Sequence, residues 1–394
     1  MTPLTETTQP ASASTSEGRI SAQDGLALYA DCGLHELGRR AHGVTQRLHP
    51  DDYRTYVVDR NINYANYCTA KCIFCNFKAD PPGMNSGRED LPDGYVLRFE
   101  DIGSKIEELL AIGGTQILMQ GGLVPAEMLP FEWYLDLLRF IKCEYPGVHI
   151  HAFSPPEIWA FHQIFDMPVR DVLLRLQEAG LDTIPGGGGE ILVDRVRRKI
   201  AQGKTTTSEY LAVMREAHSI GMRTSITMMF GHIETIAERI EHLQLIRDLQ
   251  DETGGFTAYI CWTFQPGSTP LGRVRQMEPS LGASPDGKHL VLADANEYLK
   301  MLAVSRIFLD NIPNIQSSWV TQGPKIGQLA LFYGANDMGS VMMEENVVSA
   351  ADTTFSLSES QIRHLITDAG WRPQKRDCYY RPAVQIDTDS TGGD

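Results

Sequence analysis

The sequence predicts an α/β protein built as a (β/α)8 barrel, and two observations support this fold class. Eight short apolar or β-branched runs, each bounded by Gly, Pro, Ser or Asn, alternate with amphipathic helical patterns along the 394 residues. Such alternation implies a parallel sheet, and eight repeats most economically close into a barrel. No Pro- or Gly-rich linker divides the pattern into two domains. An open, doubly wound sheet is the alternative architecture.

The predicted elements follow in chain order. The strands are Thr55–Tyr64, Gln116–Gln120, His149–Ala152, Asp182–Ile184, Thr224–Met229, Ala258–Phe264, Asn314–Ser317 and Leu329–Phe332. The helices between them are Phe99–Ile112, Phe131–Tyr145, Val169–Ala179, Ser208–Ile220, Thr235–Thr253 and Asp294–Asn311. Several of these helices are followed closely by Gly, which commonly ends a helix.

Segments of different character flank the barrel core. Polar, weakly hydrophobic ends favour disorder, whereas helical patterns predict ordered additions. The expected organisation is a disordered segment 1–20, a helical cap 21–50 on the barrel's N-terminal side, a barrel core 51–345, a C-terminal extension 346–384 with an outer helix Glu359–Ala369, and a disordered tail 385–394.

Composition and charge exclude several classes of protein. With 42% hydrophobic and 22% charged residues, the chain has ordinary globular usage. A net charge of −15 disfavours binding to nucleic acid or to an anionic membrane. The N-terminus lacks the features of a signal peptide, and no apolar run approaches the ~18 to 20 residues of a membrane span, so we expect a cytoplasmic protein.

Three of the seven cysteines, Cys68, Cys72 and Cys75, form a CxxxCxxC run directly after the first predicted strand. Their thiolates could bind three irons of a cubane cluster and leave the last iron open for a ligand. A structural zinc site is the alternative, but it would need a fourth Cys or His at short spacing. Redox sensing is a second alternative. The remaining cysteines are expected to be small buried residues: Cys32, Cys143, Cys261 and Cys378.

The cysteine run, with Phe74 before its last cysteine, resembles that of the radical S-adenosylmethionine (SAM) superfamily. This resemblance implies a [4Fe-4S] cluster whose open iron binds SAM through the amino and carboxylate groups of the methionine. One-electron reduction then releases a 5′-deoxyadenosyl radical. The resemblance also implies that Phe74 lies against the adenine, with core packing as the alternative.

Segments after the next strands supply further candidate SAM ligands. By the same resemblance, Gln120, Gly121 and Gly122 meet the methionine amino group, although a tight turn also explains the glycines. Ser154 can cap a helix, with Glu157 as its capping-box partner, and can also face the SAM site.

A run of four glycines, 186–189, precedes Glu190. Successive glycines raise the entropic cost of folding, so the run suggests a ligand lying against the backbone. Glu190 could accept hydrogen bonds from the SAM ribose, while Arg195 and Arg197 could bind a carboxylate. A helix N-terminus with solvated charges is the alternative.

Longer segments narrow the resemblance to radical SAM enzymes of the menaquinone futalosine pathway, most of all to those that cyclise dehypoxanthine futalosine. These segments are 59–64, 185–197, 227–231, 250–266 and 334–349. The implied reaction removes hydrogen from the ribose C4′, adds the sugar radical to the attached benzoate ring, and restores aromaticity by loss of an electron and a proton. An aminofutalosine-forming enzyme is the alternative, and a non-catalytic zinc-binding module is a further one.

Substrate and partner contacts can also be predicted. The candidate substrate or base groups are Glu190 and four residues expected in the loop after the eighth strand, where turn formation is the alternative: Asn336, Asp337, Glu344 and Glu345. Candidate walls for the benzoate are Tyr64, Asn66, Trp262, Gln265 and Trp319. The reaction implies an external one-electron donor such as flavodoxin or ferredoxin, for which Lys71 and Lys78 could form a basic patch, although ordinary exposed lysines are the alternative.

Overall fold

Ten parallel strands form one sheet at the centre of the protein. The computed structural model describes residues 18–273, 290–347, 349–352 and 355–383. Its strands are β1 Tyr53–Val57, β2 Asp59–Asn63, β3 Lys71–Cys72, β4 Gln116–Gln120, β5 His149–Ala152, β6 Thr183–Ile184, β7 Ala201–Gln202, β8 Arg223–Phe230, β9 Phe256–Thr263, β10 Asn314–Gln316, β11 Asp337–Ser340 and β12 Arg372–Lys375. The spatial order is β12-β1-β11-β10-β9-β8-β6-β5-β4-β2, and β3 pairs separately with β7.

The sheet curls until its ends meet at β1 and β2. These two strands are separated only by Val58; β1 pairs with β11, and β2 pairs with β4. The chain after β11 runs on beside β2, where Met343 N donates to Asp59 O at 3.3 Å and Asn61 N donates to Met343 O at 3.0 Å. With β1 and β2 taken as one interrupted strand and β12 as an addition, the ring has the eight strands of the predicted barrel, which confirms the fold class.

Helices cover the outside of the sheet. They are α1 Ala22–Asp31, α2 Leu34–Leu48, α3 Phe99–Ala111, α4 Phe131–Glu144, α5 Pro155–Ile164, α6 Val169–Ala179, α7 Asp194–Ile200, α8 Thr207–Ser219, α9 Ile236–Thr253, α10 Pro270–Arg273, α11 Ala295–Phe308, α12 Trp319–Gln322, α13 Pro324–Ala330 and α14 Glu359–Asp368. All six helices predicted between strands are present with small shifts at their ends. No helix in the described ranges is both long and apolar enough to cross a membrane.

The N-terminal helices α1 and α2 pack against other parts of the outer layer, and their expected role as a cap on the barrel's N-terminal side stays a prediction. A Cβ at Gly25 of α1 would lie 3.1 Å from the Phe308 ring of α11. In α2, Thr45 Oγ1 donates to Gly334 O at 3.0 Å. The ends expected to be disordered lie outside the described residues, apart from residues 18–20.

The segment after β12, residues 376–383, lies at the N-terminal end of the barrel. Arg376 donates through Nε and Nη2 to Asp337, the first residue of β11, at 2.6 and 3.0 Å. Cys378 Sγ lies 3.4 Å from the hydroxyl of Thr183, the first residue of β6. Contacts with the starts of separate strands make this segment the floor of the barrel.

The eighth strand differs from the prediction. Residues 329–332 were expected to form it, but residues 329–330 end α13 and residues 331–332 begin a turn. Leu329 and Phe332 are both exposed. The strand at this place in the barrel is β11, Asp337–Ser340. Its sequence DMGS has little β propensity, and its strand conformation depends on pairing with β1 and β10.

Replacing Arg376 with Met is expected to lower the free energy of unfolding by about 3 kcal/mol, because Asp337 would be left buried without its cation. Denaturation in urea measures this loss. The control is Arg381→Met, which removes an exposed ion pair with Asp377 and should change stability by less than about 0.5 kcal/mol. Equal losses for both variants would contradict the assigned role of the buried pair.

Candidate active site

The three clustered cysteines lie on the loop that follows β2, at the C-terminal ends of the strands. Leu123 N, just after β4, donates to Cys68 Sγ at 3.3 Å. Cys72 belongs to β3, which pairs with β7 in the segment after α7. The loop is therefore held from two sides, at Cys68 and at Cys72.

The donor set of this loop fits an iron–sulfur cluster. Burial raises the pKa of the Cys68 and Cys72 thiols, and at Cys72 the nearby Lys204 opposes that effect. A bound metal would supply the stronger positive charge that thiolates need in such a buried place. Among the described residues, no three Cys, His, Asp or Glu side chains are grouped closely enough to hold a single metal ion.

Lys204 connects two residues that the sequence assigned to SAM. Its Nζ donates to Glu190 Oε1 at 2.9 Å and lies 5.3 Å from the centre of the Phe74 ring. Burial alone would raise the pKa of Glu190, but Lys204 and Arg197 overcome that effect and lower it. Glu190 is thus a charged carboxylate beside the cysteine loop. Sequence reasoning missed Lys204, because only the pairing of β3 with β7 brings it there.

The two arginines proposed as carboxylate ligands have structural partners. Arg197 is buried and donates to Thr205 O at 2.8 Å and to Gly188 O and Gly189 O at 3.1 Å. Arg195 forms an ion pair with Glu238 at 2.6 Å. Arg197 therefore stabilises the loop around Glu190, and Arg195 ties α7 to α9. That either arginine binds a carboxylate stays a prediction.

The glycine run 186–189 is required by the protein itself. A Cβ at Gly186 would lie 2.6 Å from Ile226 Cα, and one at Gly189 would lie 2.5 Å from Thr227 O, both in β8. At Gly187 it would lie 2.2 Å from the Gln120 amide. Close approach to neighbouring strands thus explains these glycines without a ligand, although 186–188 also line the central cavity.

The Glu157 carboxylate joins the C-terminal ends of β2, β4 and β5. Its Oε1 accepts from Tyr64 Oη at 2.8 Å and from Gly121 N at 2.9 Å. Its Oε2 accepts from Ser154 N at 2.7 Å and from Ser154 Oγ at 2.6 Å. The predicted capping role of Glu157 in α5 is therefore accompanied by ties to both predicted SAM-contacting loops, and Tyr64 belongs to this core rather than to a substrate wall.

The glycines after β4 allow the cysteine loop to pack closely. A Cβ at Gly122 would lie 2.0 Å from Tyr67 O and 2.8 Å from Cys68 Cβ. Gly121 has a similar restriction, because its Cβ would meet the Tyr64 ring at 2.3 Å. Any side chain at Gly122 would displace the first cysteine of the cluster motif.

A cavity of about 280 Å³ lies inside the barrel and leads towards the cysteine loop. Its walls combine apolar and polar side chains, and burial lowers the pKa of one of them, His151, to about 3, which leaves that imidazole neutral at neutral pH. The predicted residues that line it are Gln120, Glu190, Trp262, Trp319 and Glu345. Its size and mixed lining suit a small molecule with an aromatic part.

Asn336 and Asp337 do not lie in a loop after the last barrel strand, because they stand at the start of β11. Asn336 Oδ1 accepts from Arg306 Nη2 at 2.9 Å and Asp337 binds Arg376, so both maintain the fold. Glu344 lies after β11 but pairs with Arg60 at 2.7 Å outside the cavity lining. Of the four acidic or amide candidates in this region, Glu345 alone is among the cavity-lining residues.

The remaining predicted contacts separate into exposed and structural residues. Lys78 is buried, donates to Ala70 O at 2.9 Å and pairs with Asp80 at 2.9 Å, so its predicted place in a surface patch is wrong. Lys71 is exposed on β3. Asn66 Oδ1 accepts from Tyr95 N at 2.8 Å and shapes the loop, and neither Asn66 nor Gln265 lines the central cavity.

Comparison with known proteins agrees with this site. Residues 62–246 match the family model "Radical SAM superfamily", and residues 253–387 match "CofH/MqnC C-terminal region". The cyclic dehypoxanthine futalosine synthase of Halalkalibacterium halodurans is 42% identical over 92% of this chain and 91% of its own length. The chain belongs to the radical SAM superfamily.

Two further proteins resemble the chain at lower sequence identity. The aminodeoxyfutalosine synthase of Thermus thermophilus is 38% identical over 92% of both chains. Crystalline methylornithine synthase has a TM-score of 0.65 at 18% identity, covering 90% of this chain and 94% of that one, which supports the fold. Membership of the radical SAM superfamily implies a [4Fe-4S] cluster and SAM as cofactors.

Cys72→Ala is expected to abolish the iron–sulfur cluster, since the open loop has no fourth cysteine that could replace this ligand. After anaerobic reconstitution, iron and sulfide content and visible absorption should fall to background. The control is Cys143 of α4, which was expected to be buried but is exposed; Cys143→Ala should leave both unchanged. A brown Cys72→Ala protein with full iron content would contradict the assignment.

Glu157→Gln should lower the free energy of unfolding by about 1–3 kcal/mol, because the new amide group faces donors and leaves at least one of them unpaired. Urea denaturation measures the change. The matched control is Glu209→Gln in the capping box of α8, with an expected loss of about 1 kcal/mol or less. Equal losses would show that Glu157 acts only as a cap.

Proposed function

We propose that this radical SAM enzyme cyclises dehypoxanthine futalosine. The main support is the 42% identity to cyclic dehypoxanthine futalosine synthase along 92% of the chain. The cavity agrees with that substrate, because it carries two indole rings, Trp262 and Trp319, together with many polar groups. An aromatic acid joined to a sugar requires both kinds of contact.

The residues of the chain would hold the cofactors at the upper end of the cavity. Cys68, Cys72 and Cys75 would bind the cluster, with Phe74 and Glu190 on the SAM side. When bound, the reduced cluster and SAM supply a 5′-deoxyadenosyl radical that abstracts hydrogen. The barrel walls exclude water and keep the sugar and the benzoate ring of one substrate molecule together, which favours ring closure over quenching.

Rearomatisation of the ring releases an electron, which would return to the oxidised cluster, and a proton, which requires an acceptor. Glu190 is paired with Lys204 beside the cysteine loop, which assigns it to the cofactor side. Glu345 lines the cavity, and its carboxylate accepts from Val347 N at 3.1 Å and from Ser349 N at 3.0 Å. Such a charged carboxylate, held by backbone donors, can take the ring proton. We assign this role to Glu345.

The reaction also needs electrons from outside the chain. We propose flavodoxin or ferredoxin as the donor, docking near the exposed Lys71 on the outer side of the cysteine loop. The small-molecule substrate would occupy the cavity from within the barrel, so the donor and the substrate approach the cluster from different sides.

Anaerobic turnover with SAM, reductant and dehypoxanthine futalosine tests the function. Mass spectrometry should detect 5′-deoxyadenosine and a product that has lost one hydrogen from the sugar and one from the ring. Reduced flavodoxin should replace the chemical reductant, and Cys72→Ala should give no product. If 5′-deoxyadenosine does not form, the proposed cyclisation is wrong. A separate assay with SAM, reductant and an enol ether tests the alternative aminofutalosine-type activity, in which the adenosyl group stays in the product.

A further inference from the structure

Two amide oxygens that face the cavity have no hydrogen-bond partner among the described residues. Asn61 on β2 and Gln116 on β4 are 5% and 4% exposed, and both line the cavity. Asn61 Oδ1 and Gln116 Oε1 accept no hydrogen bond from any group in the described ranges. Because buried side-chain oxygens are nearly always hydrogen-bonded, to protein or to ordered water, these two acceptors can receive donors from a molecule bound in the cavity.

Asn61 lies two residues before the end of β2, and Gln116 lies deeper in the barrel. Gln116 precedes Gln120, the last residue of β4, by four positions in the strand, which corresponds to about 13 Å. β2 and β4 are paired neighbours, with Asn61 opposite Leu118 and Gln116 opposite Asp59. The two amides therefore form one polar subsite on adjacent strands.

The surroundings disfavour an anionic group at this subsite. Arg376 is the sole Lys or Arg among the described residues lining the cavity, and its guanidinium already binds Asp337. The carboxyl of Asp59 adds further acceptor oxygens beside Gln116. It accepts from Ser340 Oγ and from Gln116 Nε2. A carboxylate would meet oxygens here without a free cation, whereas hydroxyl groups would find acceptors.

We infer that Asn61 and Gln116 bind the hydroxyl groups of the substrate's sugar. The inference rests on the proposed function, which places a sugar and a benzoate in the same cavity. Hydroxyl groups held at the lower end leave the carbon that loses hydrogen directed towards the cysteine loop. The benzoate then lies along the upper walls, which include Trp262 and Trp319.

Binding without turnover separates this subsite from the chemistry. Calorimetry would use the cluster-loaded enzyme with SAM and no reductant, titrated with dehypoxanthine futalosine or with analogues that each lack one sugar hydroxyl. For the wild-type enzyme, at least one analogue should bind about tenfold more weakly. Asn61→Leu and Gln116→Leu should weaken binding of the full substrate by a similar factor and remove the discrimination against that analogue.

Controls distinguish the possible failures. Gln328→Leu, an amide change on α13 outside the cavity, should leave substrate affinity unchanged, and SAM affinity together with the thermal midpoint reports whether each variant is folded. If every analogue binds the wild-type enzyme as tightly as the substrate, the subsite holds only water and the inference is wrong, whatever the variants do. If the wild-type enzyme binds no dehypoxanthine futalosine, the proposed function fails and the subsite assignment falls with it.

Discussion

The site depends on one buried carboxylate, that of Glu157, which receives hydrogen bonds from the ends of three neighbouring strands. Tyr64 stands four residues before the first cluster cysteine, Gly121 begins the loop that donates to that cysteine, and Ser154 starts the next helix. Parallel strands bring these ends to one edge, but their loops are irregular and need a common anchor. A single carboxylate supplies it.

At the same edge of the sheet, positive side chains balance the charge of a buried carboxylate beside the cysteine loop. Glu190 is surrounded by Lys204 and Arg197, so a buried carboxylate stays charged close to the thiols. Arg197 in turn holds the carbonyls of the glycine loop, which the β8 backbone forces into close contact. Steric contact with β8 therefore sets the path of the glycine loop, and the positive charges of Lys204 and Arg197 keep Glu190 ionised.

Most of the fold could be predicted because apolar periodicity and helix-ending glycines report local structure. The cysteine spacing likewise identified the cluster loop, since its ligands are close in sequence. The errors concern features set by distant contacts. β11 is a polar, glycine-containing strand, and misplacing it moved Asn336 and Asp337 to the wrong end of the barrel. The position of Lys204 depends on the pairing of β3 with β7, and the burial of Lys78 depends on how its own loop folds back, where Lys78 donates to Ala70 O. No local pattern encodes either feature.

The floor of the barrel also bears on the order in which the protein can be assembled. Arg376 and Cys378 complete the cavity, yet their partners Asp337 and Thr183 lie much earlier in the chain. During synthesis the strands can pair before this segment leaves the ribosome, but the cavity then stays open at its lower end. We expect the cavity to be closed late in folding, when residues 376–383 pack against the starts of β6 and β11.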